Sequence, residues 1–349
     1  MESVKQKGGV TMEDAKKQLS IKDIAAISGV SIATVSRVLN KKGRYSPETE
    51  KKVMAVVNSY GYISNMTAKT LRETKSRTIG LIVPNVNNVF FSNLAYYIET
   101  ELFERNYSVF ICNSGNSGKK EAEYFRTLVS KGVDGILCIS TLDRLPAEIL
   151  TRDLPIVCID RRPRISRPVP WVGNDGLLAG RMATEHLLDK GCRHILYISS
   201  YLGPYDQYYR REGYIQALTD RGLFVDKNYI LERPGKDPTQ IEVEVLVYQF
   251  LGSSLPVDGI ITASEPAALG AMYALKSAGL SVPDDVRIVG FDNSLYSLMT
   301  TPPLSSIERN PSKIAGKACG LLLRLIESGQ LEELEVTVPI SLVERGSSR

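Results

Sequence analysis

Two periodicities of apolar and polar positions divide this chain. Between Ile32 and Asn40, Val35, Val38 and Leu39 recur at helical spacing, while Ala33, Ser36, Arg37 and Asn40 share the opposite face. Ser31 suits the N-cap of that helix, and Gly29 suits the end of the one before it. The preceding run, residues 20–28, carries Ser20 and Asp23 at capping-box spacing, with Ile24, Ala25 and Ile27 as apolar surface. Ser46-Pro47 opens a third helix, in which Val53, Val56, Val57 and Tyr60 repeat at i, i+3, i+4 and i+7 before Gly61 stops the run. Helix, glycine turn, helix is the helix-turn-helix pattern. Three such short helices bury only a small core.

From Thr78 onward the texture becomes short apolar runs alternating with helical patterns. Strands are predicted at 79–83, 108–112, 135–139 and 156–159, with helices near 90–105 and 119–131 between them. A second series is read from Trp171-Val172: helix 176–189, strand 194–199, helices 207–221 and 239–251, strand 257–262, helix 266–278 and strand 286–291. Pro302-Pro303 breaks the chain, and a strand at 304–308, a helix at 311–327 and the run Glu335–Ile340 follow. Strands separated by helices imply parallel sheets covered on both faces, and two such series imply two lobes with a cleft between them.

Composition adds the electrostatics. Residues 1–77 hold 15 Lys+Arg against 7 Asp+Glu, and the remaining residues hold 28 against 32. A basic segment joined to a larger acidic one is the footprint of a nucleic-acid binder, and Arg37, Lys41, Lys42 and Arg44 cluster beside the second helix. No apolar run reaches the roughly 18 residues of a membrane span, and residues 1–10 lack a secretory core, so a cytoplasmic protein is expected. Five cysteines without a C-x-x-C pair read as buried free thiols, and His186 and His194, the only histidines, read as structural; no metal or cofactor is expected.

Residues 20–71 resemble the DNA-binding segment of the LacI/GalR family of bacterial transcriptional regulators. The matching motifs are Asp23-Ile24-Ala25, the run from Thr34 to Asn40, and Asn65-Met66-Thr67-Ala68-Lys69-Thr70-Leu71. The resemblance continues through essentially all of the chain from about residue 19. It implies a small all-α helix-turn-helix domain ahead of an α/β, two-lobed, periplasmic-binding-protein-like core with parallel sheets. Residues 1–18 then form a mobile tail, 19–62 the DNA-binding domain and 63–77 a hinge. The first lobe takes 78–161 and 293–325, and the second takes 162–292 and 326–349. Base reading and phosphate contact fall to Ser31, Ile32, Ala33, Thr34, Ser36, Arg37 and Asn40. In the hinge, Asn65 caps a short helix, Ala68 allows close approach of two copies, Lys69 lies near phosphate and Leu71 wedges into a base step. A helix of nine residues spans only about 13 Å, so one subunit reads few base pairs. The implied partner is therefore a pseudo-palindromic double-stranded operator bound by a homodimer, with repression as the expected outcome and no membrane involved.

In open α/β sheets, ligands bind beyond the carboxyl ends of the strands. Those ends carry Asn85, Phe90 and Phe91; Asp160, Arg161 and Arg162; Tyr205, Asp206, Gln207 and Arg210; and Asp292 and Asn293. Aromatic faces with carboxylate, amide and guanidinium groups suit a small polar effector, a carbohydrate by expectation and a sugar phosphate or purine by chemistry. The family's positions carry over to Phe91, Arg210 and Asp292, and by looser match to Asn85, Phe90 and Arg161; Asp160 follows from the strand-end rule. Two departures are Asn88-Val89, where the family often has Asn-Pro, and Asn174-Asp175, which reverses its common Asp-Asn. The core alone also fits a solute-binding protein, although a signal peptide is missing and a headpiece is present. A sugar- or nucleotide-transforming enzyme fits less well. No G-x-G-x-x-G follows a strand, and the loop 113–120 lacks both the first glycine and the final Ser/Thr of a phosphate loop.

Overall fold

The structure, a computed structural model, describes residues 19–41, 43–62, 75–142, 144–150, 153–163, 169–201, 206–234, 239–330 and 333–349. The chain divides into two compact units, Met1–Thr74 and Lys75–Arg349.

In the first unit the local signals read from the sequence form the expected helices, α1 (Ile21–Ser28), α2 (Ile32–Leu39) and α3 (Pro47–Tyr60). Ser20 and Asp23 make a reciprocal capping box, and Gly29 ends α1 at φ 68°, a conformation open to glycine at no steric cost. Ser31 caps α2 by accepting the Thr34 amide at 3.2 Å. Ile24, Val35, Val38 and Val53 meet in a small buried core, with Leu39, Met54 and Val57 packed around it.

The second unit holds two six-stranded sheets. The first contains β1 (Thr78–Val83), β2 (Ser108–Asn113), β3 (Gly135–Cys138), β4 (Ile156–Ile159), β5 (Trp171–Gly173) and β11 (Glu335–Thr337), in the order β11-β5-β4-β3-β1-β2 and parallel throughout. The second contains β6 (Ile195–Tyr201), β7 (Ile230–Pro234), β8 (Gly259–Thr262), β9 (Arg287–Phe291), β10 (Ser305–Glu308) and β12 (Ser341–Val343), in the order β12-β10-β9-β8-β6-β7. Only the β10–β12 pair in it is antiparallel.

Three strands depart from the lobe boundaries expected from the sequence. β5 and β11 belong to the first sheet, through the registers Cys158↔Trp171 and Val336↔Val172, and β10 belongs to the second, through Ser305↔Val289. Of the returning segment 293–325, the helical part does join the first lobe: the helix Pro311–Ser328 buries Ile314, Ala315, Ala318 and Leu322 against the helix Val89–Phe103. The chain therefore changes sheet after β5, after β10 and after β11. β7 was absent from the sequence reading, because Ile230-Leu231-Glu232-Arg233-Pro234 is a polar edge strand without a clear alternation. The thiols are free as expected, four of them buried and Cys112 partly so. No helix among the described residues is long and apolar enough to cross a membrane.

Candidate functional site

On α2 the apolar stripe faces inward and leaves Ser31, Ile32, Ala33 and Arg37 exposed, with Thr34, Ser36 and Asn40 partly exposed. Several polar groups of that outer face are already engaged within the helix. The Ser31 and Thr34 hydroxyls lie 2.9 Å apart, and the Asn40 amide donates to the Ser36 carbonyl at 2.8 Å. Arg37 folds back: Nε donates to the Ala33 carbonyl at 3.3 Å and Nη1 to the Arg44 carbonyl at 3.5 Å. Those long contacts part readily for a stronger bidentate acceptor. Asn65, Ala68, Lys69 and Leu71 lie outside the described residues.

In the core, residues that follow strands of both sheets converge. Asp160 follows β4 of the first sheet, and Asp292 follows β9 of the second; both adopt positive φ, 64° and 92°. One guanidinium joins them. Arg309, which follows β10, bonds Asp160 through Nη2 and Asp292 through Nη1 at 3.1 Å, and its carbon sits 3.8 Å from the centre of the Phe90 ring. Its Nε donates to the Asn174 side chain at 3.2 Å. Arg309, Asp160 and Phe90 are all buried. Sequence reading missed Arg309, although the strand-end rule, applied to the predicted strand 304–308, points at it. Asn174, noted only as a departure from the family pattern, is the other missed member.

The other described candidates are held by contacts of their own. The Asn88 side chain caps the helix Val89–Phe103 by accepting the amides of Phe90 and Phe91, which sets the two rings edge to face at 5.6 Å. Phe90 and Phe91 are also part of the first lobe's core. Arg161 lies 5.7 Å over the Phe91 ring, and its buried Nη1 has no hydrogen-bond partner among the described residues. Arg210 is buried, stands 4.5 Å over the Phe291 ring and donates to the Ala263 carbonyl at 3.4 Å. Asn85 uses its side-chain oxygen to accept the Asn87 amide, which shapes the β1 loop. Asn293 is a strut, bonded to Ser306, Glu308 and Arg345. Tyr205 lies outside the described residues, and Asp206 and Gln207 begin the helix Asp206–Asp220. A cavity of about 230 Å³ opens beside the cluster, lined by Asp160, Arg162, Trp171, Asn174, Asp175 and Tyr209. A larger groove of about 500 Å³ lies on the second lobe between Leu269, Tyr273 and Met299, among no strand-end residues.

Arg210 is positioned by a close helix crossing. A Cβ on Gly180 would fall 1.9 Å from the Arg210 carbonyl oxygen, and one on Gly213 would fall 2.1 Å from the Leu177 carbonyl oxygen. Backbone, not a pliable side chain, is the obstacle. Gly180→Ala is therefore expected to cost roughly 1–3 kcal/mol of stability in urea unfolding and to displace Arg210.

Burial pushes the Asp292 carboxyl up to about 6 from an ordinary 3.8; Arg309 and Arg210 pull it down, and Glu265 pushes it up further. A raised carboxyl pKa means that the folded state holds its proton more tightly than the unfolded chain does. The stability this group contributes is thus fully present below about pH 3.8 and is lost as pH rises through about 6. Asp292→Asn is expected to remove that slope from the pH dependence of unfolding between those limits, at about 1.4 kcal/mol per pKa unit.

A headpiece with an exposed recognition face, joined to a two-sheet core whose strand ends gather polar and aromatic side chains, defines a ligand-binding regulator with a DNA-reading domain. Comparison with known proteins is specific. Residues 20–65 match the family described as bacterial regulatory proteins, lacI family, and residues 184–348 match the periplasmic binding protein-like domain. The chain is 32% identical to the ribose operon repressor of Halalkalibacterium halodurans, over 95% of this chain and 97% of that one. It is 30% identical to the repressor PurR of Pasteurella multocida, over 94% and 98%. Among solved structures, the lac repressor bound to ONPG in its repressed state superposes with a TM-score of 0.81 at 25% identity, covering 95% of this chain and 100% of that one. The chain belongs to the lacI family of bacterial regulatory proteins, and it is a DNA-binding transcriptional regulator.

Proposed function

We propose that this regulator acts as a repressor in the cytoplasm. As a homodimer it binds a pseudo-palindromic operator, and a small polar effector bound between the lobes changes the affinity of that complex. The observation that carries the DNA side is the division of α2 into a buried Val35–Val38 stripe and an outer face exposing Ile32, Ala33 and Arg37. On this reading Ser31, Thr34, Ser36 and Asn40 contact backbone and base edges beside Arg37. Asn65, Ala68, Lys69 and Leu71 form the minor-groove hinge. The edge position of β2 with Phe110 and Ile111 about half exposed, and exposed Tyr96 and Phe103 on the helix Val89–Phe103, support a second copy covering that side of the core.

The effector would lie against Phe90 and Phe91, with Asn85, Asp160, Arg161, Arg210 and Asp292 fixing its polar groups. Ring faces beside carboxylates and guanidiniums suit a carbohydrate, free or phosphorylated, and also a purine. Selection of bound sequences from random DNA with the full-length protein tests the first half. Recovery of an inverted repeat is the expected result, and recovery of no preferred sequence refutes it. Thermal shifts with pentoses, hexoses, their phosphates and purines, repeated in the presence of the selected DNA, test the second half.

A further inference from the structure

The core changes sheet at three places: at Asn174–Asp175 between β5 and the helix Gly176–Asp189, at Arg309–Asn310 between β10 and the helix Pro311–Ser328, and at residues 338–340 between β11 and β12. One buried side chain ties all three together. The Asn174 amide donates to the backbone carbonyl of Arg309 at 3.1 Å and to that of Val338 at 2.9 Å, while its oxygen accepts Arg309 Nε. The neighbouring Asp175 caps its own helix, accepting the Leu178 amide at 3.0 Å.

The rest of the Arg309 guanidinium reaches out of this hinge to both lobes, to Asp160 at the end of the first sheet and to Asp292 at the end of the second. Stacking on Phe90 fixes the plane of the fork. A planar fork has set donor directions. It can serve Asn174, Asp160 and Asp292 together only over a narrow range of lobe angles.

We propose that Arg309, oriented by Asn174, is a positioning residue for the effector response: it holds the three crossing strands and the two lobes at one angle, and a ligand that takes over Asp160 or Asp292 releases it. This rests on the effector reading of the same site. Asp160 and the guanidinium are buried and the Asp292 side chain is only 9% exposed, so parting either arm costs a desolvated charge one of its close partners. The bridge thus favours the lobe angle at which both arms are made, and that angle is the element a ligand at either carboxylate would bias. Glu308, one residue away, stays out of the bridge: it accepts the Asn293 amide at 2.6 Å and the Asn310 backbone N–H at 2.7 Å.

The test measures lobe angle in the full-length protein. Spin labels are placed at exposed Lys119 in the first lobe and exposed Gln249 in the second, in a Cys112→Ser background, with one labelled subunit diluted among unlabelled ones. The wild-type protein is expected to give one narrow distance distribution. Arg309→Gln and Asp292→Asn are each expected to broaden it, because a contact that restrains the hinge between the lobes is gone. The double variant is expected to be no broader than Arg309→Gln alone, because both changes cut the same bridge. Arg309→Lys, which keeps the charge without the fork, is expected to stay broad. It also serves if the glutamine variant does not fold. A wild-type distribution in Arg309→Gln or in Arg309→Lys overturns the proposal, as does broadening that simply adds in the double variant. Operator selection on the wild-type protein is scored separately, so failure of the functional reading is distinguishable from failure of the bridge.

Discussion

Arg37→Ala is expected to weaken operator binding by about 1–3 kcal/mol and to flatten base preference at one G·C pair in each half-site. Arg37 is the one long charged donor on the exposed face of α2, and bidentate bonding to guanine O6 and N7 uses the guanidinium as a fork. The same side chain donates to the Ala33 and Arg44 carbonyls at 3.3 and 3.5 Å. Releasing it to DNA therefore sacrifices little. Ile32 and Ala33 offer only apolar contact and should favour thymine methyl groups weakly. Binding to random DNA rests on the phosphate contacts of several lysines and arginines, so it should fall far less. Sequence selection with the wild-type and variant proteins at one fixed salt concentration checks this. An unchanged base profile would show that α2 is not the reading helix.

The other large effect is expected at Asp292. A carboxylate accepts several hydrogen bonds from hydroxyl or N–H groups of a ligand, and removing it leaves those groups unpaired in a closed site at a cost of about 1–3 kcal/mol or more. Asp292→Ala should fold and still bind operator, since the headpiece is a separate compact unit. Its operator affinity should be the same with and without the effector found in the ligand screen. Whether that effector is an inducer or a corepressor, expression of the controlled genes should no longer depend on it. Calorimetry beside a gel shift decides the matter. Wild-type ligand affinity together with normal ligand control in the variant would remove Asp292 from the effector site.

The headpiece was legible in the sequence because its determinants are local. Ser20, Gly29, Ser31, Pro47 and Gly61 each act within one helical turn of their own position, and each does so in the structure. Most strands of the core were legible as short apolar runs. Which sheet β5, β10 and β11 joined was not, because pairing such as Val172 with Val336 or Ser305 with Val289 depends on residues far away in the chain. The site divides the same way. Phe90, Asp160 and Asp292 were found from strand ends, and the structure brings them together. Their meeting through Arg309, and the anchoring of Arg309 by Asn174, needed the three-dimensional crossing of strands. Both residues lie where the chain passes from one sheet to the other, and such a position leaves no periodic signature.

The way the first sheet closes has a consequence for synthesis on the ribosome. Its edge strand β11 is Glu335–Thr337, and its covering helix is Pro311–Ser328, so the first lobe cannot be completed until translation has passed Thr337. The helices α1 to α3 end by Tyr60 and draw their core from their own residues. At roughly 5–20 residues per second, the interval between the two is on the order of tens of seconds. During that time the nascent chain carries a DNA-reading unit that can fold, while the apolar strands of the unfinished lobes wait for partners. A premature stop before β11 would therefore release a chain with a complete headpiece and no closed first lobe to control it.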